Sequence, residues 1–252
     1  MALAKLNSMI GIVLFLPGLA VTAQVPSHGE LANDIQVTAS IAPPRMPPVQ
    51  LMVYRLTNLY SSPLVAFTFS TKCPVDKSGT VSSDAALDYA IPWLPGEARD
   101  VAWEEPDCDC RLTSAIFGDG RRDGDQNAID RVLLLRTYAL AQLRPIADLA
   151  LQEYLAETPN SHSTYDSGRI IGAIQDRQAR LPEIVGENRD QVMAEQEVLR
   201  HLLEHTQALA ALANESDFKE QQRKYLDMLD LWKRILLGGS YPATPVSLRR
   251  RR

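Results

Sequence analysis

Between Phe117 and Asp125 the spacing of apolar residues changes from two to between three and four, so no all-β or all-α fold can accommodate the whole chain. Upstream, Ile35, Val37, Ala39 and Ile41 alternate with polar or small neighbours, the pattern of a half-buried strand. Pro43, Pro44, Pro47 and Pro48 have no amide hydrogen to give a ladder and interrupt it. Residues 49–57 (VQLMVYRLT) and 64–71 (LVAFTFST) predict two more strands joined by a turn at 58–63 (NLYSSP). Weaker strands are expected at 87–91 and 98–103, separated by Leu94-Pro95-Gly96-Glu97, and residues 111–117 close the series. So many short strands with Pro and Gly punctuation predict an Ig-like antiparallel β-sandwich over residues 34–118. The Cys–Trp–Cys spacing of antibody domains is absent.

Downstream, Asp125 can cap a helix along which Ile129, Leu133, Leu134, Ala141 and Leu143 recur at helical spacing. Pro145 is expected to kink or end it before the run 146–156 continues. A polar loop at 158–163 precedes an amphipathic stretch at about 165–181. Leu199, Leu202, Thr206, Leu209 and Ala213 define one further helix, and Tyr225, Leu229, Trp232 and Leu236 another. Asn214-Glu215-Ser216 turns the chain between them, which predicts a long helical hairpin. Gly238 and Gly239 end the last helix. The fold class expected is α+β, with an α-helical part at 122–238 and a disordered basic tail at 239–252.

The first 23 residues read as a signal peptide. Lys5 is a small basic start, residues 9–16 (MIGIVLFL) are apolar, Pro17-Gly18 break the run, and Val21-Thr22-Ala23 offers small residues for cleavage before Gln24. An apolar run of eight residues is short of the roughly 20 that cross a bilayer. The expected address is therefore export, periplasmic or extracellular. Setting Lys5 and the four terminal arginines aside leaves 21 of the 26 basic residues against 31 acidic ones, a body near −10. That charge does not suit a nucleic-acid binder, whose affinity rests on neutralising phosphates. Arg249, Arg250, Arg251 and Arg252 offer a weak contact to an anionic surface. Three cysteines in an oxidising compartment predict one disulfide, from Cys73 to Cys108 or Cys110, and one free thiol.

The segment Gly118-Asp119-Gly120-Arg121-Arg122-Asp123-Gly124-Asp125 could be a calcium loop, with Asp119, Asp123, Gly124 and Asp130 at positions 1, 5, 6 and 12. Arg121 falls at position 3, where an oxygen ligand is required. The simpler reading is structural: Asp119-Gly120 turns out of the last strand, and Gly124-Asp125 leads into a capped helix. Asn58-Leu59-Tyr60-Ser61-Ser62-Pro63-Leu64, Leu94-Pro95-Gly96-Glu97, and Ala115-Ile116-Phe117-Gly118-Asp119-Gly120 with Gly124-Asp125 together resemble a group of uncharacterised exported bacterial proteins. In that group an Ig-like domain runs through a V-x-F-x-DG-x-x-x-GD phrase into a helical half. The resemblance spans about residues 49–157 and implies fold and compartment, with no activity or catalytic residue.

His201-Leu202-Leu203-Glu204-His205 matches the H-x-x-E-H zinc pattern of inverted zincin peptidases. Histidines four apart share a helix face, and Glu204 could activate a zinc-bound water. The third ligand would have to be Glu215 or Glu220, and the apolar stripe leaves both histidines near its polar edge. A solvated helix face is the plainer reading. No Ser/His/Asp order or phosphate loop can be assembled, and no local signature makes Cys73 a nucleophile with His28 or His162. The sequence therefore points to a non-catalytic binding or scaffolding protein of the envelope, with no cofactor and an unknown protein or envelope component as partner. Its alternative is a zinc-dependent hydrolase on the 201–205 helix. N-terminal sequencing of the native protein should begin at Gln24, and an intact Met1 in a membrane fraction would contradict the signal reading.

Overall fold

The computed structural model describes residues 23–24, 31–41, 51–73, 78–87, 90, 92–104, 108–156 and 165–238. Almost all of the expected signal segment, the proline-rich stretch 42–50, the loop 158–163 and the arginine tail 239–252 lie outside these residues. Within them the chain is mixed α+β, with two antiparallel sheets followed by four helices. One sheet has the order β1 (Ala23–Gln24), β2 (Ile35–Ile41), β3 (Met52–Asn58), β6 (Ala98–Glu104), and a single turn, α1 (Leu31–Asp34), leads into β2. The other has the order β5 (Ser78–Asp84), β4 (Leu64–Lys72), β7 (Asp109–Phe117), β8 (Arg122–Gly124). β1 straddles the expected cleavage point, with Ala23 opposite Ala39 and Gln24 opposite Thr38.

The two sheets share one apolar cluster in which Ile35, Val37, Tyr54 and Leu56 of the first meet Phe67, Phe69 and Leu112 of the second. Leu31 is buried in the same cluster, so the β part begins earlier than residue 34, where the sequence places its start. It also ends later, because β8 still pairs with β7 as far as Gly124 opposite Ser114. Asn58 explains how β3 passes into β4 on the other sheet. The residue is fully buried, its Nδ2 donates to the carbonyls of Ser62 and Trp93 at 3.0 Å each, and its Oδ1 accepts from the Tyr60 amide at 3.1 Å. A buried amide so completely bonded ties the 58–63 turn to the Leu94–Glu97 turn, where Gly96 has φ 79°.

β5 was not legible as a strand, since Ser78–Asp84 carries almost no apolar residue and no alternation of buried side chains. It is an edge strand, held by seven register pairs to β4 and needing no apolar face of its own. The strand expected at 87–91 is not found: Ala85, Ala86 and Leu87 form a turn, and 88, 89 and 91 lie outside the described residues. Ala86 and Leu87 belong instead to the helical core, which removes them from any ladder.

The helices are α2 (Gln126–Ala156), α3 (Ser167–Ala179), α4 (Arg189–Ala210) and α5 (Phe218–Leu236). α2 runs through Pro145 without ending. Proline removes the bond to the Ala141 carbonyl, but both residues are exposed, so water can serve that group while Leu143, Ile146, Ala147 and Ala150 stay buried behind them. α2 packs on both α4 and α5, and α3 packs on α4. One cluster containing Leu143, Ile146, Ile170, Val198, Leu202, Leu229 and Trp232 joins all four. Ala213, expected on the α4 stripe, lies exposed beyond the end of that helix.

The sheets and helices meet along a seam where Ala66 and Ile116 pack on Ile129 and Val132. Beside it Arg136 of α2 grips Asp84 at the end of β5 through two bonds of 2.7 and 2.8 Å, both side chains 4% exposed. Asp84 Oδ1 also accepts the Ala86 amide at 2.9 Å, and the Ala86 carbonyl accepts Trp232 Nε1–H at 2.6 Å. Arg136→Leu should cost about 3–5 kcal/mol because it strands a buried carboxylate. The double variant Arg136→Leu/Asp84→Asn should recover most of that loss in urea denaturation. A loss below about 1 kcal/mol for the single variant would contradict the pair's burial.

Candidate functional site

Three groups of residues singled out by the sequence can now be placed. The Gly118–Asp125 segment is the hairpin from β7 to β8 and the start of α2. Asp119 accepts the Tyr60 hydroxyl at 3.0 Å through Oδ2 and the Arg121 amide at 3.1 Å through Oδ1, while its own amide donates to Ser62 Oγ. Gly120 takes φ 92°, and Gly124 takes φ 103° with room for nothing larger: a Cβ there would sit 2.2 Å from the Thr113 carbonyl oxygen. Asp125 Oδ1 accepts the amides of Asn127 at 2.8 Å and Ala128 at 3.3 Å, capping α2. Arg121 lies 4.7 Å over the Tyr60 ring and pairs with Asp34 at 2.7 Å and Asp123 at 2.9 Å. The guanidinium thus stands where a calcium ion would have needed an oxygen, and it neutralises the carboxylates around it.

The H-x-x-E-H helix is the second half of α4. Arg200 lies at its centre: the guanidinium bonds Glu204 at 2.6 Å, Glu197 at closer range, and His201 Nε2 at 2.9 Å. His201 is also 3.1 Å from Glu197 and 6.3 Å, edge to face, from the Trp232 ring. Its side chain is 16% exposed, more covered than a solvated face implies. Burial first, then the neighbouring Arg200 charge, holds the imidazole below its ordinary 6.5, against the opposing pull of Glu197 and Glu204. His205 is half-buried one turn on. Glu220 is occupied by Lys224 at 2.7 Å, and Glu215 lies exposed beyond α4. Among the described residues no three His, Cys, Asp or Glu side chains are placed to hold a metal ion. Deeper in, Thr206 Oγ1 and Tyr225 Oη are 2.7 Å apart, and burial pushes the Tyr225 phenol up to about 12.

The disulfide joins Cys73 to Cys108, with Cα atoms 4.2 Å apart, and Cys110 is buried and takes no part in it. Register decides the choice. Lys72 lies opposite Asp109 and Thr71 opposite Cys110, so Cys73 falls level with Cys108 while Cys110 faces a threonine. A crosslink closing a separation of 35 residues contributes about 3–4 kcal/mol in the chain-entropy picture. It fits an oxidising compartment, and among the described residues no helix is long and apolar enough to cross a membrane.

Sequence reasoning missed a groove of about 330 Å³ between the outer face of β4 and β5 and the first turns of α2. Its sheet wall carries Thr68, Ser70, Thr80 and Ser82, and its helix wall carries Asp125, Asn127 and Arg131. Hydroxyls at every second position of two strands were the available signal, but β5 had first to be recognised as a strand. In comparisons with family models, with curated proteins and with solved structures, nothing matches the chain.

The histidines and the seam leucines should behave differently on truncation. Leu202→Ala and Leu229→Ala, both buried, should each cost about 2–5 kcal/mol. His201→Gln should change the pH profile of stability. The folded imidazole holds its proton less readily than the unfolded chain's, so this residue's contribution is present above about pH 6.5 and declines as pH falls below it. The stability gap between the parent and His201→Gln should shrink between about pH 7.5 and 5.5 in thermal unfolding. A gap that widens on acidification would show the histidine to be charged and paired.

Proposed function

We propose that the chain is an exported, non-catalytic binding or scaffolding protein of the cell envelope, related in architecture to the exported group it resembles. The β part is Ig-like in this reading. Its support is the strand order: with the two-residue β1 set aside, β2-β3-β6 face β5-β4-β7-β8, akin to the A-B-E and C′-C-F-G sheets of such domains. The α4–α5 pair acts as a helical hairpin, supported by the paired contacts Thr206 with Tyr225 and His201 with Trp232, whose numbers run in opposite senses. The signal segment and the Cys73–Cys108 disulfide support export. The arginine tail, Arg249 to Arg252, adds a weak contact to an anionic surface.

The observation that carries the reading is the fixed junction of the two parts. The Arg136–Asp84 pair, the Trp232–Ala86 bond and the Ala66–Ile129 seam hold a polar strand edge, a groove and a helix pair in one geometry, which suits presentation to a partner. Arg200 at the centre of the H-x-x-E-H cluster favours this over a hydrolase. A photoreactive residue placed at the exposed position Thr80 on β5, or at exposed Arg223 on α5, tests it in native envelope. A reproducible adduct with a defined envelope component at either position supports the proposal. Stoichiometric zinc in the native protein, lost in both His201→Ala and His205→Ala together with peptide hydrolysis, would overturn it.

A further inference from the structure

We infer that the groove beside the start of α2 is a binding site for a neutral polyhydroxylated ligand, a short saccharide. The inference rests on the binding reading above and names the chemistry of one of its surfaces. Register pairs Thr68 with Ser82 and Ser70 with Thr80, so four hydroxyls form a two-by-two grid on the sheet's outer face. Directly opposed residues on neighbouring strands are about 5 Å apart, and next-but-one residues along a strand about 6.7 Å. Hydroxyls at that spread can reach groups on opposite edges of a sugar ring, each serving as donor or acceptor.

Thr80 and Ser82 stand exposed at the rim of the grid, and Thr68, 7% exposed, closes its inner end; all three line the groove. Ser70 Oγ reaches the Arg111 carbonyl only at 3.5 Å, whereas Thr113 Oγ1, on the groove's third strand, is satisfied by the Thr68 carbonyl at 3.0 Å. Opposite the grid stand Asp125 and Asn127, and Asp125 spends only Oδ1 on capping α2. A carboxylate oxygen and an amide are the partners that adjacent sugar hydroxyls take in pairs. Ala128, Val132 and Leu135 complete the helix wall and offer an apolar strip to the C–H face of a ring.

Charge argues for a neutral ligand. Arg131 is the cation of the groove, and it is paired with Asp190 of α4, while Asp125 adds a second acid. The first amides of α2 are already bonded to Asp125, so the helix end is not open to an anion. The volume of about 330 Å³ lies at the small end of ligand clefts and suits one or two rings.

The test is titration of the purified, ¹⁵N-labelled protein with maltotriose, cellotriose and triacetylchitotriose, with inorganic phosphate as the anionic probe. The amides of residues 68–70, 80–82 and 125–131 should shift with at least one saccharide by about 10 mM and not with phosphate. Thr68→Val/Ser82→Ala should weaken that response by about tenfold or more. Should the double variant unfold, Thr80→Arg on the exposed edge strand should block the groove and abolish the response. Silence of these amides to all three sugars, a response to phosphate alone, or unchanged binding in the folded variants would overturn the inference. Failure here with envelope adducts intact would leave the binding reading standing, and saccharide binding without adducts would do the reverse.

Discussion

The rest of the structure hangs on where Arg136 meets Asp84. Two charges in a site this dry lose several kcal/mol of hydration each, which their attraction restores only with good geometry and full bonding. The guanidinium makes both bonds to one carboxylate, and the carboxylate also receives the Ala86 amide. Replacing the whole pair by apolar side chains could leave stability unchanged, so its net energy is not its importance. What it fixes is position. It sets the point at which a 31-residue helix crosses the second sheet, and through Ala86 it sets where the β5 exit meets Trp232 in the helical core. The width of the groove beside α2 follows from that crossing, since Arg131 and Leu135 on the groove wall lie within five residues of Arg136 on the same helix.

A second constraint acts among the loops of the β part. Asn58, the Leu94–Glu97 turn and the Asp119–Gly124 hairpin form a connected set of loops: Asn58 bonds Trp93, Tyr60 bonds Asp119, and Arg121 spans Tyr60, Asp34 and Asp123. The three phrases that carry the resemblance to exported proteins are these loops. Each supplies a partner to the next, and Gly124 tolerates no side chain, so the three phrases specify a fold junction together.

The sequence was most readable where burial is one-sided. β2 alternates because one face is apolar, and α4 and α5 show their stripes because charged residues cover the rest. It was least readable where an element borrows its stability from neighbours. β5 has little apolar pattern because β4 supplies the pairing, and Leu87, where a strand was expected to begin, is apolar because it packs with Ala86 on the helical core. Pro145 looked like a break, since no periodicity reveals that its unsatisfied carbonyl partner would face water. The Arg136–Asp84 pair, separated by 52 residues, has no local signature at all.

The same logic separates the two sites the chain could have offered. A zinc helix is advertised by three residues in one turn, and its weakness is also local: Arg200 sits beside His201 in sequence and closes the cluster in space. The groove's wall is assembled from two strands, a bulged neighbour and a helix, so the alternating hydroxyls of each strand announce it only once these elements are brought together. Motif matching therefore favours the helix, while the hydroxyl grid favours the groove. Hydroxyls on a sheet face under a helix would ordinarily be replaced by apolar residues that lengthen the Ala66–Ile116–Val132 seam. In the grid only Thr68 is buried and Ser70 half-buried, while Thr80 and Ser82 stand exposed on the edge strand, so the seam stops at β4 and the groove begins there. A face that gives up packing in this way is better explained by what it holds than by how it folds.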